Sequence, residues 1–546
     1  MELFKLKPAA PQMCTTGRLM FNERKGTFMN ATISRRNLAM AAGVSAAAVA
    51  VACAPKVWAV EDNGSWDRET EILVCGFGGA GSVAAIQSHD NGCKVLVLEK
   101  QAADTEESVN HVPSIRISYS AIMNFHDKQS AVEYLTAACN GATPEDVIDS
   151  WADYSTENAT YLYSLGASEE ELVDTGASAT EIPLELFPQG NNYNLFRFMN
   201  QGPAFWDCLE KAAKDRDIEV LYETPFKQLV VDDEGSVIGA VAEGPEGEMR
   251  VRASKAVILA TGGFEYDENM LHQYIWGYPV RSAAAPVMTG DGIKAAQAVG
   301  ADLWHMPLVG GRLISYFPEL GYGIQNVTMG SYMFVDKYGR RFINEGRQSH
   351  CAVNDTLRFS SDLNDFPAIP CYHIMDQTAI DAGPVVSGSM LRVHPELWSS
   401  DNLAEIEKGW ILKGDTIEEL AEKIAEDPDA AGKMTPEVLA ATLAAYNEYA
   451  EVGEDPEFGR AAGTMDPLAT PPFYALKMYP GGLNTFGGPR RNAKGQIVRP
   501  DGSAIKGLYG AGEMGSILGL LYTGGGWNLS ECIVSGRLAA DNAALE

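Results

Sequence analysis

The first residues that could do chemistry form a glycine-rich turn. In "EILVCGFGGAGS", Gly76, Gly78 and Gly81 have the spacing GxGxxG and follow an apolar run that ends at Cys75. Glycines at these positions allow a tight turn, a close approach of the backbone to a pyrophosphate, and close packing of a helix on a strand. Glu99 ends the next apolar run, where its carboxylate can accept hydrogen bonds from a ribose. The pattern predicts a dinucleotide site.

A second group surrounds three consecutive glycines near the carboxyl end. In "LLYTGGGWNLSECIVSGR", Gly524, Gly525 and Gly526 stand between Tyr522 and an apolar-periodic run. A helix that begins there presents free backbone N–H groups, which stabilise negative charge. Glycines let that backbone come within hydrogen-bonding distance of a bound molecule. We expect this segment to form a surface shared by a cofactor and a substrate.

A strand, a turn, a helix and a second strand must position the first group. An apolar strand is predicted at 71–75, an alanine-rich helix follows the glycines, and the second strand ends at Glu99. A further strand, 256–260, ends in Thr261-Gly262-Gly263, and short alternating strands separated by glycine-containing turns precede it. The chain is therefore expected to have an α/β fold: a Rossmann-like domain with an inserted β-meander.

Five motifs in order resemble the FAD-binding domain of the fumarate reductase and succinate dehydrogenase flavoprotein superfamily, which includes the 3-ketosteroid dehydrogenases and urocanate reductase. They are the GxGxxG turn, "ATGGF" (260–264), "TGDGIKAAQAVGA" (289–301), "GRRFINE" (339–345), and the pair "TFGG" (485–488) and "GLYGAGE" (507–513). The resemblance covers roughly residues 70–546 and implies non-covalent FAD.

The resemblance also implies which residues hold the FAD. They are Gly76, Gly78, Gly79, Ala80, Gly81, Glu99, Lys100, Arg116, Ser118, Ala260, Thr261, Gly262, Asp291, Gly512, Glu513, Gly524, Gly525 and Leu529. Glu513 is expected to contact the ribityl chain, and Gly524 and Gly525 to lie at the isoalloxazine. Arg116 and Ser118 take the place of a glycine-rich stretch that the family usually has after the ribose-binding acid. No metal site is expected.

Several substrate positions differ from those of the fumarate reductases. Ser349 stands where the proton-donating arginine is expected, Asn484 replaces a histidine, and the Tyr522 region replaces an arginine. We therefore expect an uncharged clamp and no small dicarboxylate substrate. The spacing from Tyr522 to Gly526 resembles that of the 3-ketosteroid dehydrogenases, in which a tyrosine hydroxyl and a glycine N–H hold a carbonyl oxygen.

The implied chemistry is reduction of a conjugated double bond. Tyr522 and Gly526 would polarise a carbonyl, so that hydride from flavin N5 reaches the β-carbon. The candidate proton donors on the cap side are Arg347, flanked by Glu345, then His350 and Ser349. The alternative for Tyr522 is packing beside the flavin.

The chain is expected to have a signal region and two domains. Arg35 and Arg36, followed by an alanine-rich stretch, are typical of a twin-arginine export signal over residues 1–59. The FAD-binding domain is predicted at 60–302 and 480–546, and an α+β substrate-capping domain at 303–479. In the cap, a capping box at Asp415–Glu418 and the pair Thr435-Pro436 predict helix starts. The location is expected to be periplasmic or otherwise extracytoplasmic, with membrane association if the signal is retained.

The composition of the chain limits the kinds of ligand and electron donor that we expect it to use. The formal net charge of −31 argues against nucleic acid as a ligand. The nine cysteines include no CxxC or CxxCH, so no haem domain is expected and electrons must come from a separate donor, for which we expect a membrane-associated cytochrome. The resulting hypothesis is an exported FAD-dependent reductase of an activated C=C bond in an organic acceptor, acting in anaerobic respiration. The alternatives are a 3-ketosteroid-type dehydrogenase working oxidatively and a flavin-carrying binding protein without turnover.

Overall fold

The computed structural model describes residues 59–176, 181–327, 331–347, 350–519 and 521–546. Apart from Ala59, the expected signal region lies outside the described residues, and so does Ser349. Within the described ranges, no helix has the length and apolar composition needed to cross a membrane.

The strands of the described residues are, in chain order, β1 (Ala59–Glu61), β2 (Arg68–Cys75), β3 (Val95–Leu98), β4 (Ala121–Phe125), β5 (Leu172–Asp174), β6 (Tyr193–Phe198), β7 (Glu219–Leu221), β8 (Phe226–Val231), β9 (Val237–Gly244), β10 (Gly247–Leu259), β11 (Arg281–Ser282), β12 (Leu303–Trp304), β13 (Val309–Phe317), β14 (Tyr322–Asn326), β15 (Tyr332–Asp336), β16 (Cys371–Asp376), β17 (Val386–Ser387), β18 (Ile411–Gly414), β19 (Phe473–Thr485), β20 (Gly488–Pro489), β21 (Gln496–Val498) and β22 (Ala504–Gly510).

The helices are α1 (Gly79–Asp90), α2 (Lys128–Cys139), α3 (Glu145–Ser155), α4 (Asn158–Ser164), α5 (Gln201–Lys214), α6 (Glu268–Tyr274), α7 (Asp291–Ala298), α8 (Ala352–Thr356), α9 (Gln377–Asp381), α10 (Leu403–Glu407), α11 (Ile417–Ala425), α12 (Pro436–Val452) and α13 (Trp527–Ala543). Short 3₁₀ helices lie at Pro188–Asn191, Ser389–Arg392, Pro395–Leu397 and Ala462–Thr464.

The nucleotide sheet has the strand order β1-β8-β9-β10-β2-β3-β7, with β22 pairing β10 and β21 pairing β22. Strands β2, β3 and β7 run parallel, and β22 runs parallel to β10. The segment from β8 to β10 is antiparallel, which confirms the inserted meander. The apolar run of β2 is buried on both faces, as expected for a parallel strand between layers: Ile72 and Val74 pack with α1 and α13, and Leu73 faces the other side.

The cap sheet has the order β15-β16-β19-β13-β14-β17, with β11 and β18 also pairing β19. Its long strand β19 continues to Thr485, beyond the predicted boundary at residue 479, because its backbone pairs with β13 as far as Val309. Strand β11 joins this sheet before the predicted start at 303.

Two helices cover the cap sheet. Thr435 caps α12 and Pro436 is its first residue, as predicted. The cap of α11 lies one residue later than predicted, because the Thr416 side chain, not that of Asp415, accepts the Glu419 N–H.

A third, smaller layer was not recognised as separate in the sequence. Strands β4, β6 and β5 form an antiparallel sheet that packs with α2 to α4 against the carboxyl-terminal helix α13. The indole of Trp151 in α3 donates to Glu531 in α13 at 2.6 Å and stacks on Trp527. This layer therefore positions the segment that follows the three glycines.

Candidate active site

A cavity of about 450 Å³ is lined by residues from both sheets and from the smaller layer. It brings together most of the residues predicted from the motifs. The predicted cofactor residues that line it are Gly76, Gly78, Gly79, Ala80, Glu99, Lys100, Ser118, Ala260, Thr261, Gly262, Asp291, Gly512, Glu513, Gly525 and Leu529. The predicted catalytic residues that line it are His350, Asn484, Tyr522 and Gly526.

The glycine turn after β2 fits a pyrophosphate. Gly76 has φ +102°, and a Cβ there would lie 2.5 Å from the carbonyl oxygen of Ala260. A Cβ on Gly78 would meet only Pro113, at 3.8 Å, so bare backbone faces the cavity. No side chain caps α1, which leaves its first N–H groups available to an anion. Gly81 lies below the turn, where a Cβ would be 1.9 Å from Gly76 O, and serves helix–strand packing.

The buried carboxylate of Glu99 fits the ribose. It accepts the backbone N–H groups of Phe77 and Gln101, both at 2.8 Å. Burial alone raises the pKa of Glu99, but His111, with Nε2 3.8 Å away, and the two N–H groups lower it below its ordinary value. The carboxylate is therefore ionised at neutral pH and can accept ribose hydroxyls.

A second carboxyl on the cavity wall, Glu513, has a buried neighbour that the sequence did not indicate. The backbone N–H of Thr485 lies 2.6 Å from Glu265 Oε1 and 2.9 Å from Glu513 Oε1. Burial raises the pKa of both carboxyls, and proximity to Glu265 raises the pKa of Glu513 further. Both shifts favour the protonated form of the pair.

Besides Gly81, two predicted cofactor residues do not line the cavity. Arg116 does not line the cavity, because its guanidinium forms an ion pair with the Asp104 carboxylate at 2.5 Å. It also donates to the carbonyl of His111 at 2.6 Å. Gly524 packs against the smaller layer, where a Cβ would lie 2.5 Å from the Tyr193 hydroxyl. Of the three glycines, the second and third line the cavity.

Tyr522 and His350 form the centre of the substrate side. Their rings stack with centroids 4.3 Å apart and an interplanar angle of 20°. Burial raises the pKa of Tyr522 well above its ordinary value, so its hydroxyl remains a proton-carrying donor. Gly526, with φ +97°, is the N-cap of α13 and lines the same cavity, and the Tyr522 hydroxyl accepts the backbone N–H of Asn528 at 3.5 Å.

Glu181 orients His350. Its carboxylate accepts both the backbone N–H and Nδ1 of His350. Arg312 Nη2 lies 3.8 Å from the same carboxylate, and the His350 carbonyl accepts the N–H of Gly311 at 2.7 Å. Sequence reasoning missed Glu181 and Arg312, since neither belongs to a motif that it used.

Two other predicted proton-relay residues, Arg347 and Glu345, are described by the structure and do not line the cavity. Arg347 is exposed, and Glu345 is fully buried in the cap. Glu345 pairs with Arg341, with Nε–Oε1 and Nη2–Oε2 distances of 2.7 Å, and Arg460 lies 3.5 Å away. The expectation that Glu345 flanks Arg347 in a relay is therefore wrong, because the buried guanidinium of Arg341 holds this carboxylate.

The cavity wall also contains cations that the sequence did not indicate. Arg197, Arg312 and Arg392 line the cavity. They come from β6, β13 and a 3₁₀ helix of the cap, not from the motif positions where cations were sought. The sequence signal for one of them was an arginine between two phenylalanines, Phe196 and Phe198, in strand β6.

Comparisons with known proteins identify the family of the chain. The family model described as "FAD binding domain" matches residues 71–529. The chain is 28% identical over 487 residues to "Probable fumarate reductase Ifc3" of Shewanella frigidimarina, covering 87% of this chain and 75% of that protein. It is 31% identical over 575 residues to the 3-oxosteroid 1-dehydrogenase of Mycolicibacterium smegmatis, covering 87% and 97%.

A solved structure shares the fold. The 3-ketosteroid delta1-dehydrogenase of Sterolibacterium denitrificans, in complex with 1,4-androstadiene-3,17-dione, matches with a TM-score of 0.71 and 22% identity. The match covers 88% of this chain and 100% of that one. The α/β architecture with its meander is therefore confirmed.

Proposed function

The chain belongs to the FAD binding domain family, and from that premise we propose that it reduces an activated carbon–carbon double bond in an organic substrate. Its cofactor is FAD, and its class is that of FAD-dependent oxidoreductases acting on CH–CH bonds. The observation that carries the proposal is the stack of Tyr522 on His350 within the cavity that contains the dinucleotide site.

Different residues of the cavity would bind the cofactor and the substrate. The turn at 76–79 and the N-terminus of α1 would hold the pyrophosphate, Glu99 the ribose, and Glu513 with Gly525 the flavin end. When bound, FAD supplies the hydride chemistry.

On the substrate side, the Tyr522 hydroxyl and the Gly526 N–H donate to a carbonyl oxygen conjugated with the double bond. These donors stabilise the negative charge that develops on that oxygen, which makes the β-carbon electrophilic. Tyr522 is only 5% exposed, so water does not have to reorganise around its hydroxyl when the negative charge develops.

His350 is the proton donor that the geometry favours. Glu181 accepts the Nδ1–H and so fixes the orientation of the ring, and the imidazolium form of His350 would carry its second proton on Nε2 and deliver it from there to the α-carbon. Arg347, placed first by the sequence, is exposed and takes no part in this proposal.

A second candidate reaction is the reverse one, oxidation of a 3-oxosteroid-like ketone. The Tyr522–Gly526 pair and the similarity to a 3-oxosteroid 1-dehydrogenase favour it. The same hydroxyl would polarise the ketone, and His350 Nε2 would accept the proton instead of donating it.

We also propose the setting of the reaction. The Arg35-Arg36 pair supports twin-arginine export to an extracytoplasmic compartment. The lack of a CxxCH motif in the sequence supports a separate electron donor, for which we propose a membrane-associated cytochrome in anaerobic respiration.

The test is reoxidation of the reduced holoenzyme. The protein is reduced anaerobically and mixed with enones, cinnamates, stilbenes or fumarate, and the flavin absorbance is followed. We expect conjugated carbonyl compounds to reoxidise the flavin rapidly. Reoxidation by none of the four classes would overturn the reductase proposal, and rapid reduction of the oxidised enzyme by a saturated 3-oxosteroid would establish the reverse reaction.

A further inference from the structure

We propose that Arg197, Arg392 and Ser389 form an anion subsite in the cavity wall, which selects substrates that carry a carboxylate in addition to the activated double bond. This inference rests on the proposed function for the identity of the reaction, but not for the binding of the anion. The three residues line the same cavity as Tyr522 and Gly526.

Arg197 brings a guanidinium to the cavity wall. Arg197 in β6 pairs in register with Ala121 in β4. Ala121 in turn lies close to Gly526, because a Cβ added to Gly526 would be 3.2 Å from the Ala121 carbonyl oxygen. The Nε of Arg197 is buried and has no hydrogen-bond partner among the described residues. A buried guanidinium nitrogen without a partner is costly, and an anion in the cavity removes that cost.

Arg392 is held in place by uncharged groups. Its Nε donates to Gln201 at 2.5 Å and its Nη1 to the carbonyl of Ile117 at 2.6 Å. The guanidinium carbon lies 4.0 Å from the ring centroid of Tyr119. These contacts fix the position of the cation without neutralising it, so its orientation is already set when a ligand arrives.

The two guanidiniums influence each other electrostatically. Burial lowers the pKa of Arg392, and the neighbouring charge of Arg197 lowers it further. Arginine nevertheless stays protonated in proteins. Two like charges at one cavity wall therefore repel each other until an anion binds between them. Arg312 differs, because Glu181 lies within ion-pair distance of it.

Ser389 is an independent indication of a ligand. Its side chain lines the cavity and the residue is 2% exposed, yet Oγ has no hydrogen-bond partner among the described residues. A hydroxyl and two guanidiniums that line one cavity supply donors of the kind that the oxygen atoms of a carboxylate accept. The subsite is cationic although the whole chain has a net charge of −31, so it is a local feature of the cavity.

The first experiment measures binding without turnover. Benzoate and benzamide, which have similar size but different charge, are titrated into the oxidised holoenzyme by calorimetry. We expect benzoate to bind about 10- to 100-fold more tightly, as for a charge-assisted contact. Equal affinities, or no binding of benzoate, would overturn the subsite.

Variants assign the effect to these residues. Arg197→Gln and Arg392→Gln should each reduce the preference for benzoate, and the double variant should abolish it while retaining FAD. Arg197→Gln removes no hydrogen bond at Nε among the described residues, so we expect this variant to fold. It therefore keeps the test valid if Arg392→Gln does not fold. Arg340→Gln removes an equal charge from a half-exposed cap position and should change nothing. An undiminished preference in both single variants would contradict the assignment.

A turnover experiment separates this inference from the proposed function. An aryl enone with a ring carboxylate is compared with its carboxamide as an oxidant of the reduced holoenzyme. We expect KM to be about 10- to 100-fold lower for the carboxylate, with similar kcat. Reduction of both compounds with equal KM would overturn the subsite alone. Benzoate binding without reduction of either enone would contradict the reductase function and leave the anion subsite standing.

Discussion

The imidazole of His350 lies parallel to the phenol ring of Tyr522, with 4.3 Å between their centroids. The hydroxyl proposed to bind the carbonyl and the proposed proton donor therefore belong to one stack. Each ring holds the other in place, but their polar atoms have different tasks. Substitutions that remove one polar atom and keep both rings therefore separate the two tasks.

Tyr522→Phe removes the hydroxyl and keeps the ring. We expect kcat to fall about 10²- to 10³-fold, as when one donor to a developing oxyanion is lost. FAD content and the dissociation constant for FAD should stay unchanged. The measurement is the rate of flavin reoxidation by an enone, in single turnover. Tyr161→Phe is the matched control, because its hydroxyl is buried in α4 without a hydrogen-bond partner among the described residues. Equal rates for Tyr522→Phe and wild type would remove the hydroxyl from the mechanism.

Glu181→Gln weakens the contact that orients His350. We expect kcat for enone reduction to fall about 10²-fold or more, because the proton donor loses its fixed orientation. Reduction of the flavin by dithionite, which needs no substrate proton, should keep its wild-type rate. His350→Asn should be at least as slow as Glu181→Gln, and the double variant no slower than His350→Asn. A double variant in which the two losses multiply would show that the residues act separately.

Glu265→Gln tests the buried carboxyl pair. The pKa values of Glu265 and Glu513 are raised in the folded protein, so the folded state holds a proton that the unfolded chain releases above the ordinary carboxyl pKa of 4.5. This contribution to stability is full below that pH and is lost as the pH rises.

The free energy of unfolding, measured with urea at about pH 5.5 and about pH 8.5, should therefore fall more steeply in wild type than in Glu265→Gln. Glutamine cannot ionise, but it can donate to Glu513. Glu448→Gln, at an exposed position of α12, should follow the wild-type curve. Parallel curves for wild type and Glu265→Gln would contradict the shared proton.

Glu345→Gln and Arg347→Gln distinguish structure from catalysis in the cap. Glu345→Gln leaves Arg341 and Arg460 with an unmatched buried charge and should lower the free energy of unfolding by about 3–5 kcal/mol. Arg347 is exposed, so its substitution should change stability by no more than about 0.5 kcal/mol. Both variants should retain the wild-type kcat per bound FAD, measured by enone reduction. A large loss of kcat in Arg347→Gln would restore it as the proton donor.

The dinucleotide site was predictable because its chemistry is local. Gly76, Gly78 and Glu99 act through a turn and two adjacent strands, whose order follows directly from the sequence pattern. The meander was predictable for the same reason, since its turns contain the glycines that reverse the chain.

The substrate side was not predictable in the same way, because its residues meet through long-range packing. Glu181 reaches His350 because its backbone N–H donates to the carbonyl of Thr523 at 3.0 Å, far along the chain. Arg197 faces the cavity because β6 pairs with β4 in one particular register. No local pattern specifies either contact, so the motif positions indicated a neutral clamp while three guanidiniums came from elsewhere.

The packing of α13 on α1 also determines when the protein can acquire its cofactor. The cavity needs Gly76 to Ala80 from the start of the fold and Gly512 to Leu529 from its end. A nascent chain still on the ribosome has made the first wall but not the last, so it cannot enclose FAD. We therefore expect FAD to be enclosed only after α13 has been synthesised and has packed on α1.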